Sequence, residues 1–156
     1  MKGRALLALL LTLGIASTLA AGTPTKDKFL AALDMARTGV RWDPTTMVSR
    51  DFDGDGQADS AVIGYVGHGI VLAVRASSVK APQFLDFGIN ASEQAAICAA
   101  PAHLKTLELS CDIDGEKLPG CRDSQRAWGL NLSGGECDAI NLYWNHDEHH
   151  LSWWRR

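Results

Sequence analysis

The sequence predicts a small, mainly β domain with one N-terminal helix, built as an antiparallel sandwich or a propeller-blade-like meander. Three observations lead to this fold class. Short runs of β-branched, aromatic and other apolar residues recur at intervals of about 8 to 15 residues, with turn-forming residues between them. Only one stretch has helical periodicity. The 156 residues are too few for a closed propeller, which needs at least four blades of about 40 residues each.

The first twenty residues predict a secretory signal peptide. Lys2 and Arg4 precede a mostly apolar stretch over residues 5–15, and small residues follow up to the candidate cleavage points Ala20 and Ala21. The apolar stretch is shorter than the roughly 20 residues that a membrane-spanning helix needs. We therefore expect a periplasmic or secreted protein with no membrane span once residues 1–20 are removed.

The net charge of the exported part argues against a nucleic-acid partner. Removing Lys2 and Arg4 from the 15 basic residues leaves 13, against 18 acidic residues, so the formal charge changes from −3 to −5. Proteins that bind nucleic acid neutralise phosphates with clustered basic residues. An acidic chain of this size fits one domain with a modest core.

Residues 21–44 are expected to form an N-terminal helical segment. Thr25 is a suitable cap for a helix that continues to about Arg37 and stops at Gly39. Its apolar face consists of Phe29, Leu30, Leu33 and Ala36. Pro44 marks the boundary with the β domain, which is expected to occupy residues 45–156.

The β domain is expected to contain about eight short strands. They are predicted over residues 46–50, 60–66, 70–76, 83–87, 104–110, 128–132, 138–144 and 150–155. A helical turn is expected within residues 91–99, closed by Pro101. Residues 111–121 are rich in glycine and proline and predict a loop.

All four cysteines lie in the exported part: Cys98, Cys111, Cys121 and Cys137. An even number of cysteines in an oxidising compartment predicts two disulfides, and three pairings are possible. A zinc site made of four thiolates is the alternative, but the sequence has no Cys-x-x-Cys pair. Either disulfide would stabilise the second half of the domain.

Residues 51–59 place four carboxylates around a glycine turn, in the sequence Asp51-Phe52-Asp53-Gly54-Asp55-Gly56-Gln57-Ala58-Asp59. Ca²⁺ takes six to eight oxygen ligands, and a loop of this spacing offers side chains at positions 1, 3, 5 and 9 and a carbonyl at position 7. The candidate ligands are Asp51, Asp53, Asp55, Gln57 and Asp59. Four like charges this close repel one another unless a cation intervenes. The alternative is a solvated acidic turn that binds nothing.

The segment DFDGDGQADSAVIGYV resembles the calcium loop and following strand of FG-GAP or VCBS-type repeats, which build integrin α-chain propellers and occur in many bacterial exported proteins. The resemblance covers about sixteen residues and occurs once. It implies calcium ligands at the same five positions. An EF-hand is not indicated, because Val62 occupies the twelfth position, where that motif has Glu, and a strand follows. We therefore expect a structural ion.

The C-terminal segment, residues 143–156, contains three of the five tryptophans. Adjacent strand residues face opposite sides, so Trp153 and Trp154 cannot enter the same core. If Trp153 points inward, Trp154 lies exposed beside Arg155, which is typical of a contact surface. The alternative is that Arg155 or the chain end covers Trp154. The candidate partner-binding residues are Trp144, His146, His149, His150, Trp154 and Arg155.

The same segment offers ligands for Zn²⁺ or Cu²⁺. Three imidazoles and two carboxylates lie within five residues, in His146, Asp147, Glu148, His149 and His150. A solvated hairpin turn has the same polar composition, and on a tight turn the three rings need not converge.

The sequence contains no nucleophile elbow, zinc-protease helix, phosphate loop or dinucleotide fingerprint. The leading interpretation is therefore an exported, non-enzymatic β domain with a structural Ca²⁺ site. One alternative is an extracytoplasmic inhibitor of a cell-wall hydrolase, or a glycan-binding module, that uses the C-terminal hairpin. The other is periplasmic zinc or copper binding by the histidines.

Overall fold

The structure is a computed structural model that describes residues 26–123 and 126–156, so the predicted leader lies outside the described residues. The described residues form one helix and eleven strands. The helix is α1 (Lys26–Ala36), and the strands are β1 (Arg41–Val48), β2 (Ser60–Val66), β3 (Gly69–Arg75), β4 (Gln83–Ile89), β5 (Ala96–Ile97), β6 (His103–Glu108), β7 (Asp112–Ile113), β8 (Glu116–Lys117), β9 (Trp128–Ser133), β10 (Ile140–Asn145) and β11 (His150–Trp154).

Five strands form the first sheet, in the order β1-β2-β3-β4-β5. Its first four strands are antiparallel, and the short strand β5 joins β4 as a parallel pair. The second sheet has the order β11-β10-β9-β6 and is antiparallel throughout, while β7 and β8 form a separate two-stranded hairpin. The predicted fold class, mainly β with one helix, is confirmed.

The two sheets pack face to face over one core. Ile63 and Leu72 from the first sheet and Leu130 and Leu142 from the second belong to the same cluster, and each is at most 1% exposed. Side chains that alternate along a strand point to opposite faces, so each sheet also has an outer face that needs its own cover.

Helix α1 covers the outer face of the first sheet. Phe29 and Leu33 pack against Val62 of β2 and Ala73 of β3. Because β2 and β3 are buried on both faces, they consist of nearly continuous apolar runs instead of alternating ones.

The outer face of the second sheet is covered by residues 111–123, which we call the disulfide loop. The Tyr143 hydroxyl donates to the Pro119 carbonyl at 3.0 Å, and the His146 amide donates to the Gly120 carbonyl at 2.8 Å. Strands β7 and β8 form the hairpin within this loop. The molecule is therefore layered as helix, sheet, sheet and loop.

The cysteines pair as Cys98–Cys137 and Cys111–Cys121, each with a Cα–Cα distance of 5.6 Å. The first disulfide connects the region after β5 to the turn between β9 and β10. The second closes the disulfide loop. Two disulfides fit an oxidising compartment. Among the described residues, no helix is long and apolar enough to cross a membrane.

Two boundaries differ from the sequence-based expectation. Strand β1 begins at Arg41 and continues past Pro44, which was expected to precede the β domain. The pairing of β1 with β2 shifts between Asp43 and Val48, and the Ile63 amide donates to the Thr46 hydroxyl at 3.0 Å, so a bulge accommodates the proline. The expected helical turn over 91–99 is replaced by an irregular segment and β5.

Candidate metal centre

The acidic loop, residues 51–59, connects β1 to β2 at one end of the sandwich. The Asp59 amide donates to the Arg50 carbonyl at 2.8 Å, which closes the base of the loop. The Trp128 amide donates to the Asp51 carbonyl at 2.8 Å and ties the loop to the second sheet. Phe52 is fully buried in the shared core. The loop is therefore anchored to both sheets.

The aspartates shape the backbone of the loop. The two carboxylate oxygens of Asp51 accept the amides of Gly54 at 2.7 Å and Gly56 at 2.8 Å. Both glycines have a positive φ, of 77° and 88°, which glycine adopts without steric cost. Asp55 accepts the Gln57 amide at 2.7 Å. These side-chain to backbone bonds form a succession of Asx turns.

Asp59 is the most buried carboxylate, with 1% of its surface exposed. One of its oxygens accepts the Phe52 amide at 2.6 Å, and the other accepts the Ser77 amide at 2.7 Å. Burial raises the pKa of Asp59 to about 6, and the neighbouring Asp53 adds to the increase, while the backbone amides oppose it.

Three of the four predicted carboxylates converge. Asp51, Asp53 and Asp59 each place a carboxylate oxygen within 4.8 Å of the other two. Asp55 lies outside this group, and its carboxylate accepts the Ser77 hydroxyl at 2.5 Å. The Gln57 side chain is exposed and donates to Asp55 at 3.3 Å.

The loop between β3 and β4 supplies donors that the sequence analysis missed. The Ser77 amide reaches Asp59, and the Ser78 amide donates to Asp53 at 3.2 Å. The predicted β2–β3 hairpin could have indicated the contact between this loop and the acidic loop. Ser60 pairs with Arg75, so the residues before β2 lie beside those after β3.

The chemistry of the donor set fits a hard cation. Asp51, Asp53 and Asp59 offer only carboxylate oxygens, two of the three side chains are buried, and each is held in place by backbone amides. Such an arrangement suits Ca²⁺, which accepts oxygen ligands in irregular geometry. Among the described residues, this is the one group of three or more metal-ligating side chains that converge.

The predicted contact surface on the C-terminal hairpin does not form a single patch. Trp144 is 3% exposed and belongs to the shared core, so the prediction that it lies on a contact surface is wrong. It pairs with Leu151 on β11, and strand alternation turns both side chains inward. Trp153 lies on the same face at the sheet edge, where it is 38% exposed and packs edge-on against Phe87 at 6.2 Å.

Trp154 and Arg155 lie at the far end of β11 from the histidines. Trp154 is half-buried and faces outward, toward the disulfide loop. The Arg155 guanidinium donates to the carbonyls of Glu93, Gln94 and Ala96, at 3.3, 3.2 and 2.8 Å. Arg155 therefore anchors the segment before β5.

The three histidines lie in and beside the turn between β10 and β11. His150 pairs with Glu148 at 3.0 Å, and His149 has a φ of 55°. Burial lowers the pKa of His146, and the Arg122 charge lowers it further. None of these rings belongs to the converging group of ligands among the described residues.

The acidic loop and this C-terminal turn share one end of the sandwich. The Gln83 amide nitrogen donates to the His149 carbonyl at 2.8 Å, and its oxygen accepts the Leu151 amide at 3.0 Å. Gln83 begins β4, directly after the loop that carries Ser77 and its bond to Asp59. The connection between β3 and β4 therefore contacts both regions.

No protein-family model, curated protein or solved structure matches this chain. The fold and the site together define a disulfide-bonded, mainly β protein with a carboxylate cluster at one end of its sandwich.

Proposed function

We propose that this protein is an exported, non-enzymatic β domain whose acidic loop binds Ca²⁺ as a structural ion. The convergence of carboxylates supports this most directly. Asp53 and Asp59 are 5% and 1% exposed, and both have oxygens within 4.8 Å of each other and of Asp51.

Without a cation, this arrangement is costly. Two carboxylates about 5 Å apart repel each other by about 3 kcal/mol at an effective dielectric constant of 20. Since Asp59 has a pKa of about 6, most molecules carry its charge at neutral pH. A bound divalent cation would attract all three carboxylates and so outweigh their mutual repulsion. It would also favour the charged form of Asp59 and lower its pKa.

The all-oxygen donor set of the loop supports calcium over magnesium. Mg²⁺ requires a compact, nearly octahedral set of ligands and gives up water reluctantly, whereas Ca²⁺ accepts flexible coordination by more oxygens. Asp51, Asp53 and Asp59 would hold the ion. Asp55 and the Gln57 carbonyl are the further ligands that the sequence motif implies, and Asp55 would exchange its bond to Ser77 for the ion.

The ion would stabilise the contacts that the acidic loop makes with both sheets. The acidic loop already bonds to β9 through Trp128 and to the β3–β4 loop through Ser77. Strands flank the loop on both sides, so binding has no helix pair to open. The expected consequence is stability and not signalling.

Thermal melting with Ca²⁺, with Mg²⁺ and with a chelator tests this proposal. Extracellular calcium modules bind with dissociation constants of about 10⁻⁴ to 10⁻³ M. At a Ca²⁺ concentration 100 times the dissociation constant, the free energy of unfolding should rise by about 2.7 kcal/mol. Identical melting with Ca²⁺ and with chelator would contradict the proposal.

A pair of matched variants locates the ion. Asp53→Asn should abolish the response to Ca²⁺, while Asp34→Asn, which removes the same charge from the exposed face of α1, should leave it intact. A full response in Asp53→Asn would place calcium elsewhere in the molecule.

A protein or glycan partner for the C-terminal hairpin stays a prediction, as does inhibition of a cell-wall hydrolase. His146, His149 and His150 lie at one end of the sandwich, and Trp154 and Arg155 at the other. A partner would therefore engage one group or the other.

A further inference from the structure

A groove lies on the outer side of the second sheet, between the hairpin of β7 and β8 and the end of β11. Its volume is about 570 Å³, within the range of about 300 to 1,000 Å³ that is usual for ligand sites. Trp154 lines one side, and Ile113, Leu118 and Pro119 line the other. None of its lining residues belongs to the acidic loop.

The wall formed by the disulfide loop is fixed in several ways. The Cys111–Cys121 disulfide closes the loop, and the Leu118 amide donates to the Cys111 carbonyl at 2.9 Å. The Tyr143 hydroxyl holds the Pro119 carbonyl against β10 at 3.0 Å. A groove with a fixed wall binds a ligand without first having to order that wall.

The opposite wall presents an aromatic surface. Trp154 lies on the face of β11 that points away from the core, and it is half-buried there. Partly buried Ile113 and Leu118 extend the apolar surface. A flat apolar ligand face could stack on the indole here.

Side chains of both charges line the groove. Two are carboxylates, Asp114 and Glu116, and three are cations, Lys117, Arg155 and Arg156. Arg156 bonds to Asp114 at 3.3 Å, and the Arg155 guanidinium bonds to backbone carbonyls. The two groups that these contacts leave, Glu116 and Lys117, carry opposite charges, whereas a charged peptide or a nucleic acid would require an excess of one sign. Together, these groups provide both donors and acceptors, which suits hydroxyl groups because each hydroxyl can donate and accept.

We propose that this groove binds a neutral oligosaccharide. The apolar C–H face of one pyranose ring stacks on Trp154, and its hydroxyls bond to Glu116 and Lys117. A neutral, polyhydroxylated ligand with a flat apolar face matches both the aromatic wall and the opposite charges of Glu116 and Lys117. The site is thus assigned to a glycan and not to a charged polymer.

Calorimetric titration with cellotetraose, chitotetraose and maltotetraose tests this assignment, and tryptophan fluorescence provides a second readout. At least one of the three is expected to bind, with equal affinity in Ca²⁺ and in chelator. Trp154→Ala should weaken binding at least tenfold. Trp153→Ala, which removes the adjacent indole from the opposite face of the same strand, should change the affinity less than twofold.

Because Trp154 is half-buried, a second variant keeps the test independent of folding. Glu116 is exposed, so Glu116→Ala should melt like the unmodified protein and bind the sugar several-fold more weakly. Failure of all three oligosaccharides to bind, or unchanged affinity in both Trp154→Ala and Glu116→Ala, overturns the proposal. Tighter binding of a charged peptide than of any sugar overturns it as well.

Discussion

The acidic loop and the C-terminal hairpin each contain several candidate binding residues that are close in sequence. Only the loop brings its candidate residues together in space. Three of its carboxylates have oxygens within 4.8 Å of one another. The six candidate residues of the hairpin are divided instead among the core, one end of the sandwich and the other. Nearness in sequence therefore had opposite outcomes in the two regions.

The difference follows from what determines the backbone. In the loop, the aspartates accept amides two to five residues away, so the same side chains that could bind a cation also fold the segment. In β11, the sheet fixes the backbone, and the pleat sends Trp153 and Trp154 to opposite faces. The rise of about 3.3 Å per residue also places His150 about 13 Å from Trp154.

The largest effect is expected from removing the Asp59 side chain. Its two oxygens accept the amides of Phe52 and Ser77, with a longer bond from the Asp53 amide at 3.3 Å. Asp59→Ala leaves these donors without a partner in a buried position, at about 1 to 3 kcal/mol for each group. We expect the free energy of unfolding, measured by urea denaturation in chelator, to fall by about 3 to 5 kcal/mol.

The matched variant in the hairpin is Asp147→Ala. Asp147 is exposed and forms an ion pair with Arg122 at 3.6 Å. Exposed ion pairs contribute about 0 to 1 kcal/mol. We therefore expect Asp147→Ala to lower the free energy of unfolding by no more than about 1 kcal/mol. A loss as large as that of Asp59→Ala would mean that the aspartate of the hairpin turn stabilises the fold as strongly as the aspartate of the loop.

The two regions should also respond oppositely to pH in the absence of metal. The pKa of Asp59 rises to about 6 on folding, so its protonated form stabilises the folded state. This contribution is fully present below about pH 4 and is lost as the pH rises through 6, a change of about 3 kcal/mol. The pKa of His146 is lowered by burial, so its contribution is lost as the pH falls.

Denaturation in chelator at several pH values, with Asp59→Asn and His146→Gln, separates these two contributions. Asp59→Asn should remove the decline between pH 4 and 6, and His146→Gln should remove the decline on acidification. With saturating Ca²⁺, the decline due to Asp59 should disappear, because the ion favours the charged carboxylate. If Asp59→Asn leaves the pH profile unchanged in chelator, folding does not raise the pKa of Asp59.

How far the sequence predicts the molecule depends on how local each feature is. The β2–β3 hairpin and the acidic loop follow from neighbouring residues, and their positions agree with the structure. The bulge that admits Pro44 depends on the pairing with β2, and the placement of β5 depends on Arg155, which donates to the Ala96 carbonyl from 59 residues away. The burial of Trp144 has the same origin, because the facing sheet decides which side of β10 becomes the core.

A smaller loss of stability is expected at Gln83, which connects the β3–β4 loop to the C-terminal turn. Gln83→Ala removes its bonds to His149 and Leu151 and leaves the Leu151 amide without a protein partner. We expect a loss of about 1 to 2 kcal/mol in urea denaturation and faster hydrogen exchange at the Leu151 amide. The control, Gln94→Ala, truncates an exposed glutamine and should change stability by less than about 0.5 kcal/mol.

The smallest expected effect is a gain in stability, at His149. This residue is exposed and has a φ of 55°, a conformation that costs most side chains about 1 kcal/mol but costs glycine nothing. His149→Gly should therefore raise the free energy of unfolding by about 0.5 to 1 kcal/mol. The matched control is His68→Gly, in the β2–β3 turn, where the φ is not positive and glycine should give no gain. A loss in His149→Gly would mean that the imidazole makes a contact stronger than the strain it bears. A gain would mean that the imidazole makes no contact that offsets the cost of its positive φ. This is the expected result if the sheet, and not the side chains of the turn, determines the backbone of the hairpin.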